Sequence, residues 1–322
     1  MGKSSRVKAR AGSPQTGTAS GEAGAPGPRQ PCPCGSGRRY KACHGSASGP
    51  AARIVTRPFA GLRSEGDLVA LRELVPAASA PLPLADSVDT DRTVLVCSLL
   101  PMAAPAMVRE DGTVWLGLQV QHGFGDPSRD LAAVLLQALE AEPGAMVGLT
   151  EAPGDGPRLQ DLLKDEPLAV TVHEGFDFWV ADVDDPTGSV HASLEQANAA
   201  AAPTARLTSV ESAYWTDVST KEHLRWVLPH DEDALLDALA RVHAADGDRL
   251  VEGGRLVGMF RAHGLLVPVW DLPLGTGPEA LEEPVAELET ALQAALDRAG
   301  EPLTDAERSA RSGLANRQVT IR

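Results

Sequence analysis

Three of the four cysteines in this chain lie within twelve residues, in the segment "CPCGSGRRYKACHG" (32–45). Cys32 and Cys34 are separated by one residue, and Cys43 is followed directly by His44. Three thiolates and an imidazole form a four-ligand set that suits zinc. A segment this short has no hydrophobic core, so metal binding would supply its folding free energy. The sequence therefore predicts one structural zinc ion, with all four coordination positions filled by the protein.

Other roles for the cysteines have less support. A disulfide is possible in principle, but the adjacent histidine and an intracellular location disfavour it. Ordinary buried cysteines do not cluster in a polar, glycine-rich segment. Cys97, by contrast, lies in the apolar run "VLVCSLL", which predicts a small core residue.

The composition is ordinary for a globular protein. Of the 322 residues, 43% are hydrophobic and 23% are charged. No positively charged stub leads into an apolar run at the start of the sequence, so a secretory signal is not expected. The longest uncharged stretch, Thr93 to Val108, contains two prolines and is shorter than the ~20 residues of a membrane helix. We expect a cytoplasmic protein without a membrane span.

Charge is distributed unevenly along the chain. Residues 1–50 carry eight Lys or Arg and one Glu, a net charge of +7. Since the whole chain has a net charge of −15, the remaining residues carry −22. A basic head on an acidic body predicts an anionic partner for the head, or weak attraction between head and body. Alternatively, the acidic body serves only to keep the protein in solution.

Composition divides the chain into four predicted parts. Residues 1–30 are rich in Gly, Ala, Ser and Pro and almost lack large apolar side chains, which predicts a disordered basic tail. Residues 31–46 hold the zinc motif. The glycine- and serine-containing stretch behind it predicts a flexible linker over residues 47–57. Residues 58–322 form the predicted folded domain.

Apolar periodicity and turn residues predict both helices and hairpins in this domain. Helices are expected at 66–76, 126–143, 231–243 and 284–298, and strands at 93–99, 176–183 and 223–228. Hairpins are expected around Glu110-Asp111-Gly112 and Ala262-His263-Gly264, and Pro268 predicts an edge position for the last strand of the second hairpin. We find no internal repeat. The predicted fold class is α+β, with a mixed or antiparallel sheet, hairpins and packed helices.

The cysteine segment resembles the SEC-C motif, a short zinc-binding segment best known from the C-terminal tail of the SecA preprotein translocase motor. The resemblance implies that the four candidate ligands bind zinc. It also implies docking on a protein partner, such as an export chaperone or the ribosome. The candidate partner-binding residues are Arg38, Arg39, Tyr40 and Lys41. No complete G-x-x-x-x-G-K-[ST] loop occurs in the chain, which argues against an ATP-driven motor.

The rest of the chain has a second resemblance. "RPFAGLRSEGDLVALRELVPAA", "VREDGTVWLGLQVQHGFGDPSRDLA", "RAHGLLVPVWDLP" and "NRQVTIR" are similar to an uncharacterised family of high-GC Gram-positive bacteria. Members of that family often carry a SEC-C segment in front. This resemblance covers most of residues 57–322 and implies no activity.

Few stretches of the body suggest chemistry. "VQHGFGDPSRD" (120–130) combines a strand end, a glycine-rich turn and a helix start, which could hold a phosphate. Asp126 would place a negative charge at the helix cap and Pro127 has no amide hydrogen, so a structural turn is favoured. "DVDDP" (182–186) is typical of an acidic turn rather than a cation site. The histidines are scattered, and no G-x-S-x-G elbow occurs.

Three functions remain open at this point. The first is a zinc-binding accessory or adaptor protein, whose finger docks on a protein or ribosomal partner. The second is nucleic-acid binding through the basic head, although Tyr40 is the only aromatic residue there for base stacking. The third is an uncharacterised enzyme that the finger delivers to its substrate. The absence of a catalytic motif makes an enzyme the less favoured of the three.

Overall fold

Two β-sheets of six strands each and seven α-helices make up the part of the chain that the structure describes, residues 54–121, 123–180 and 189–320 of this computed structural model. The fold is α+β, which confirms the predicted class. Both parallel and antiparallel strand pairs occur. The predicted disordered tail, the zinc motif and residues 47–53 of the predicted linker lie outside the described residues.

The first sheet is mixed. Its strands are β1 (Ala78–Pro81), β2 (Val94–Cys97), β3 (Ala106–Val108), β4 (Val114–Gly117), β5 (Met146–Val147) and β6 (Thr171–Val172), in the order β5-β3-β4-β2-β1-β6. β3 and β4 form the hairpin that Glu110-Asp111-Gly112 predicts. β4 lies between β3 and β2. It runs antiparallel to β3 and parallel to β2.

The second sheet is antiparallel except at one edge. Its strands are β7 (Thr204–Arg206), β8 (Ala213–Asp217), β9 (Glu222–Trp226), β10 (Arg255–Ala262), β11 (Leu265–Leu272) and β12 (Gln318–Thr320), in the order β12-β10-β11-β9-β8-β7. The edge strand β12 runs parallel to β10. Gly258 lies at a register shift of β10, where a Cβ atom would come within 2.6 Å of the Arg317 carbonyl oxygen. A side chain at residue 258 would therefore collide with the chain entering β12.

Four of the helices were predicted from the sequence. The helices are α1 (Glu65–Glu73), α2 (Pro127–Glu140), α3 (Leu159–Leu162), α4 (Ser189–Ala200), α5 (Glu232–Ala244), α6 (Glu282–Leu296) and α7 (Asp305–Ala315). α1, α2, α5 and α6 confirm the expected positions. The Asp231 side chain caps α5 by accepting the N–H groups of Asp233 and Ala234 at 3.0 and 3.1 Å. No helix in the described residues combines the length and the apolar character that a membrane crossing requires.

The predicted strand at 176–183 is wrong for the residues that the structure describes. Asp177–Trp179 form a 3-10 turn, and residues 181–188 are outside the described part. The aromatic side chains of this turn cover the first sheet: the Phe178 ring lies 5.7 Å from the ring of Trp115 on β4. Trp179 Nε1 donates to the Leu99 carbonyl oxygen at 3.1 Å. The apolar residues Phe178, Trp179 and Val180 are consecutive, whereas a half-buried strand alternates apolar and polar residues. This segment packs over the first sheet and does not add a strand to it.

The edge position predicted from Pro268 is also wrong. β11 lies inside the second sheet, between β10 and β9. Its ladder with β9 runs from Val269 to Leu272, and the next contact is a single bridge between Leu266 and Leu228. Pro268 therefore lies in a gap of this ladder, where its missing N–H does not remove a ladder hydrogen bond. The predictions of strands β2 and β9 and of the β10–β11 hairpin are confirmed.

Helix α1 is buried around most of its circumference, unlike an amphipathic surface helix. Residues 65–71 are all buried, including Glu65 and Asp67. One apolar cluster joins α1 to α2, to the first sheet, and to Tyr214, Val227 and Val267 of the second sheet. A separate cluster packs α5, α6 and α7 against the other side of the second sheet. α1 therefore links the two sheets through the core.

The Asp67 carboxylate of α1 is bound by two side chains of the second sheet. Tyr214 Oη donates to Asp67 Oδ1 at 2.7 Å, and Arg206 Nη2 lies 3.2 Å from Oδ2. Burial and the nearby carboxylate raise the pKa of the Tyr214 phenol well above its usual value, so it stays a donor. A Cβ atom at Gly66 would come within 2.5 Å of Ser212 Oγ. Glycine at this position lets α1 approach the turn before β8.

We expect Asp67→Ala to lower the free energy of unfolding by about 3–5 kcal/mol, because the Tyr214 hydroxyl and the Arg206 guanidinium lose their buried partner. Urea denaturation measures this change. Asp86→Ala is the control, since it removes a carboxylate that is 92% exposed and pairs with Lys164 at the surface, and it should cost less than about 1 kcal/mol. A similar small cost for Asp67→Ala would contradict a central role for this carboxylate.

Candidate functional site

The predicted zinc site lies outside the described residues. This applies to the ligands Cys32, Cys34, Cys43 and His44 and to the predicted partner-binding residues Arg38, Arg39, Tyr40 and Lys41. The donor set nevertheless fits zinc by its chemistry, because thiolate sulfur and imidazole nitrogen are the usual ligands of structural zinc. Three thiolates leave a formal charge of −1 on the complex, which the neighbouring basic side chains would offset.

Within the described residues, no three side chains of His, Cys, Asp or Glu come together to form a possible metal site. Cys97 on β2 is a free, fully buried cysteine, which confirms its prediction as a core residue. Burial raises the pKa of its thiol to about 12. The thiol therefore stays protonated at neutral pH and does not offer a thiolate ligand.

The glycine-rich loop at 120–130 is held by acidic side chains. Asp130 Oδ2 accepts the N–H of Phe124 at 2.7 Å, and so takes an amide that a phosphate would need. The side chain of Asp126, the N-cap residue of α2, makes no cap hydrogen bond and instead pairs with Arg158 at 3.1 Å. Two carboxylates at the start of α2 repel an anion, so the geometry favours a structural turn. His122 of this loop is outside the described residues, as is the acidic stretch 182–186.

One serine and one histidine come within hydrogen-bond distance on the first sheet. Ser79 Oγ on β1 lies 2.8 Å from His173 Nε2, and the Phe178 ring stacks on the imidazole with centroids 4.1 Å apart. Partial burial lowers the pKa of His173, so the ring is neutral at pH 7. A hydrolase also needs a third group that orients the base. No carboxylate in the described part of the chain hydrogen-bonds His173, so this pair is not a complete triad.

A cluster of cations lies on the second sheet, on the side that faces α1. We call Lys221, His223 and Arg255, which surround Asp271, the cation cluster; Arg225 lies two residues beyond His223 on the same face of β9. Asp271 holds three of the cations: Lys221 Nζ at 2.5 Å and Arg255 Nη2 at 3.8 Å from Oδ2, and His223 Nδ1 at 3.1 Å from Oδ1. The last pair does not have hydrogen-bond geometry, so it is an ion pair only when the ring is protonated.

Strand register explains why these side chains share one face. His223 and Arg225 are two residues apart on β9, and successive side chains of a strand point to opposite faces. Asp271 of β11 lies opposite His223, and Arg255 of β10 lies opposite Asp271. This cluster was not predicted from the sequence. The basic residues at 221, 223 and 225 alternate along a predicted strand, and this pattern was the available signal.

Two protein-family models match the chain. A model described as a family of unknown function, DUF5926, matches residues 58–322, and the model of the SEC-C motif matches residues 29–46. These matches confirm the resemblance to SEC-C and to an uncharacterised family. No curated protein matches the chain, and no solved structure matches it. The SEC-C motif suggests zinc binding, while neither match gives an activity or a partner.

Asp271 should stabilise the fold in a pH-dependent way. Partial burial acts to raise the pKa of its carboxyl, but the hydrogen bond from Lys221 and the charges of Lys221, His223 and Arg255 outweigh burial and lower it. A carboxyl with a lowered pKa in the folded state stabilises the protein above its unfolded-state pKa of about 3.9. This contribution is lost as the pH falls through the folded-state pKa.

We therefore expect Asp271→Asn to lower the free energy of unfolding at pH 7 by about 1–2 kcal/mol, with a difference from wild type that shrinks below about pH 4. Urea denaturation at a series of pH values measures both effects. Asp86→Asn, at an exposed ion pair, is the matched control and should change stability by less than about 1 kcal/mol. An equal loss for Asp271→Asn at pH 7 and pH 3 would contradict the ion-pair explanation.

Proposed function

This chain belongs to the family of unknown function DUF5926, and we propose that it is a zinc-binding adaptor protein whose SEC-C motif docks on a protein or ribosomal partner. The observation that carries the proposal is the SEC-C match over residues 29–46, which contains the complete ligand set Cys32, Cys34, Cys43 and His44. Four protein ligands close the coordination sphere, so the ion is structural and holds the motif in a shape that a partner can recognise.

We assign one role to each part of the chain. Residues 1–30 are a disordered basic tail, residues 31–46 the zinc motif, residues 47–57 a flexible linker and residues 58–322 the folded body. In this scheme Arg38, Arg39, Tyr40 and Lys41 contact the partner. The proposal also includes a cytoplasmic location and an origin in high-GC Gram-positive bacteria.

RNA binding by the basic head is a second candidate function. It is favoured by the net charge of +7 over residues 1–50, in contrast to −22 over the remainder. With a ribosomal partner the two functions coincide, since ribosomal protein and RNA lie side by side. Catalysis has less support, because the Ser79–His173 pair is the best nucleophile–base pair in the described residues and it lacks an orienting carboxylate.

Metal analysis of the purified, reduced full-length protein tests the zinc site. We expect one zinc ion per chain in the wild type and loss of most of it in Cys34→Ser, because removal of one thiolate opens a closed four-ligand site. Cys97→Ala is the matched control, since it removes a buried thiol from the body and should leave the zinc content unchanged. Wild-type protein without stoichiometric zinc would refute the proposal.

A pull-down with wild type, Cys32→Ser and Cys97→Ala tests partner docking. We expect partners that wild type and Cys97→Ala capture and that Cys32→Ser does not, because the finger folds only around its metal. Identical partner lists for all three proteins would contradict docking through the motif. A parallel nuclease treatment separates the two candidate functions: partners that survive it are held by protein contacts, and partners that disappear are held by RNA.

A further inference from the structure

The outer edge of the first sheet carries main-chain groups that are open to a further strand. β5 is the outermost strand of that sheet and pairs with β3. Val108 on β3 donates its N–H to the Ala145 carbonyl oxygen at 2.9 Å, and such bonds recur at every second residue of an antiparallel ladder. Met146 lies between two of these positions, so its N–H and C=O point away from β3. No hydrogen bond within the described ranges uses these two groups.

An apolar cavity lies beside this edge, at the point where the β3–β5 ladder stops. The next rung beyond Ala106 would need the N–H of Ala104, but this N–H donates to the Pro101 carbonyl oxygen at 3.1 Å and closes a turn. The turn and the chain that follows β5 therefore diverge, and they leave a cavity of about 330 Å³ between them. Its lining is mainly apolar and includes Met102, Ala104, Pro105, Met146, Val147 and Leu149.

Two of the lining side chains are methionines that the fold leaves in contact with water. Met102 is 78% exposed and Met146 is 49% exposed. Met102 and Ala103 also have left-handed backbone, with φ of 57° and 52°, a conformation that is unfavourable for residues with a Cβ atom. Local strain of this kind concentrates at binding sites, and the flexible thioether of methionine adapts to apolar partners. The turn therefore presents Met102 as a contact for an apolar group.

The chain around β5 is acidic, which indicates the charge of the partner. Residues 136–157 contain no Lys or Arg, and their four carboxylate side chains are all exposed: Glu140, Glu142, Glu151 and Asp155. Exposed carboxylates near an apolar cavity attract a segment that carries Lys or Arg and repel an acidic one. The surface therefore suits a partner that combines positive charge with an apolar side chain.

We propose that this edge of the first sheet is a docking site for an extended segment of a partner protein, in which Lys or Arg residues flank an apolar side chain. The segment adds a strand along β5 and exchanges main-chain hydrogen bonds with Met146. Its apolar side chain enters the cavity between Met102 and Leu149, and its cations lie near the exposed carboxylates. The inference concerns the body alone and is independent of the zinc motif and of the partner proposed for it.

Calorimetric titration of the full-length protein at physiological ionic strength tests the site, because salt suppresses unspecific attraction between opposite charges. The probe is the capped peptide KVKLKV, titrated into wild type, the double variant Met102→Ser/Met146→Ser, and Leu274→Ser. Leu274 is the matched control, since it is 60% exposed and follows β11 of the second sheet. We expect saturable binding that the double variant weakens at least about tenfold and that Leu274→Ser changes less than about twofold.

Two further peptides test the charge and the strand pairing. EVELEV should bind at least about tenfold more weakly than KVKLKV, because its carboxylates meet those of the protein. KVKLKV that is N-methylated throughout should lose binding, since it has no N–H to donate to the Met146 carbonyl oxygen. The proposal would be overturned by absence of saturable binding, by equal binding to wild type and the double variant, or by equal binding of any two of the three peptides. Sedimentation that shows a wild-type dimer, abolished in the double variant, would assign the edge to a second copy of the chain and would also overturn it.

Met102→Gly separates a role in docking from a role in folding. Glycine adopts a φ of 57° without the steric cost of a Cβ atom, so the Tm without peptide should stay unchanged or rise. The same variant should bind KVKLKV at least about threefold more weakly, because the thioether contact is lost. A Tm that falls by more than about 5 °C, or unchanged peptide binding, would contradict the role given to Met102 and overturn the proposal.

Discussion

The carboxylate of Asp67 ties the second sheet to a helix that the first sheet also contacts. A charge at this depth is tolerated only with partners, and the hydroxyl of Tyr214 and the guanidinium of Arg206 provide them. From the first sheet, Gln119, two residues after β4, contacts the C-terminal end of α1. Its Nε2 donates to the carbonyl oxygens of Leu71 and Val75, at 2.8 and 2.9 Å. α1 is thus fixed in rotation by polar contacts on both sides. Apolar packing alone would leave that rotation less well defined.

The sequence predicted those elements that carry their own cap, turn or apolar periodicity. Asp231 before the apolar face of α5, and Glu110-Asp111-Gly112 between β3 and β4, are signals that lie within the elements themselves. The two-residue strands β5 and β6 have no such signal, because each exists only through pairing with a distant strand. The periodic leucines of α1 indicated one apolar face, whereas the folded chain buries the helix nearly all round. Such burial arises because both sheets pack against α1, and the periodicity of one helix does not show how many sheets contact it.

The same distinction separates the two candidate sites. The four predicted zinc ligands lie within thirteen residues, so the chemistry they suggest is visible in the linear sequence. The cation cluster combines Lys221 with Asp271, fifty residues away, through the register of β9, β11 and β10. Alternation at 221, 223 and 225 could have indicated a basic strand face. It could not have shown that a carboxylate of another strand, Asp271, lies beside Lys221 and His223.

The short strand β12 has a consequence for handling the protein. It pairs with three residues in the second half of the eight-residue β10 and so covers the backbone of a strand that would otherwise form the edge of the sheet. A proteolytic cut after α7 would remove this cover and open a row of main-chain donors and acceptors to a neighbouring molecule. Protein that has lost β12 would then be prone to self-association through the exposed edge of β10. A fusion partner attached directly after β12 would lie beside the same edge.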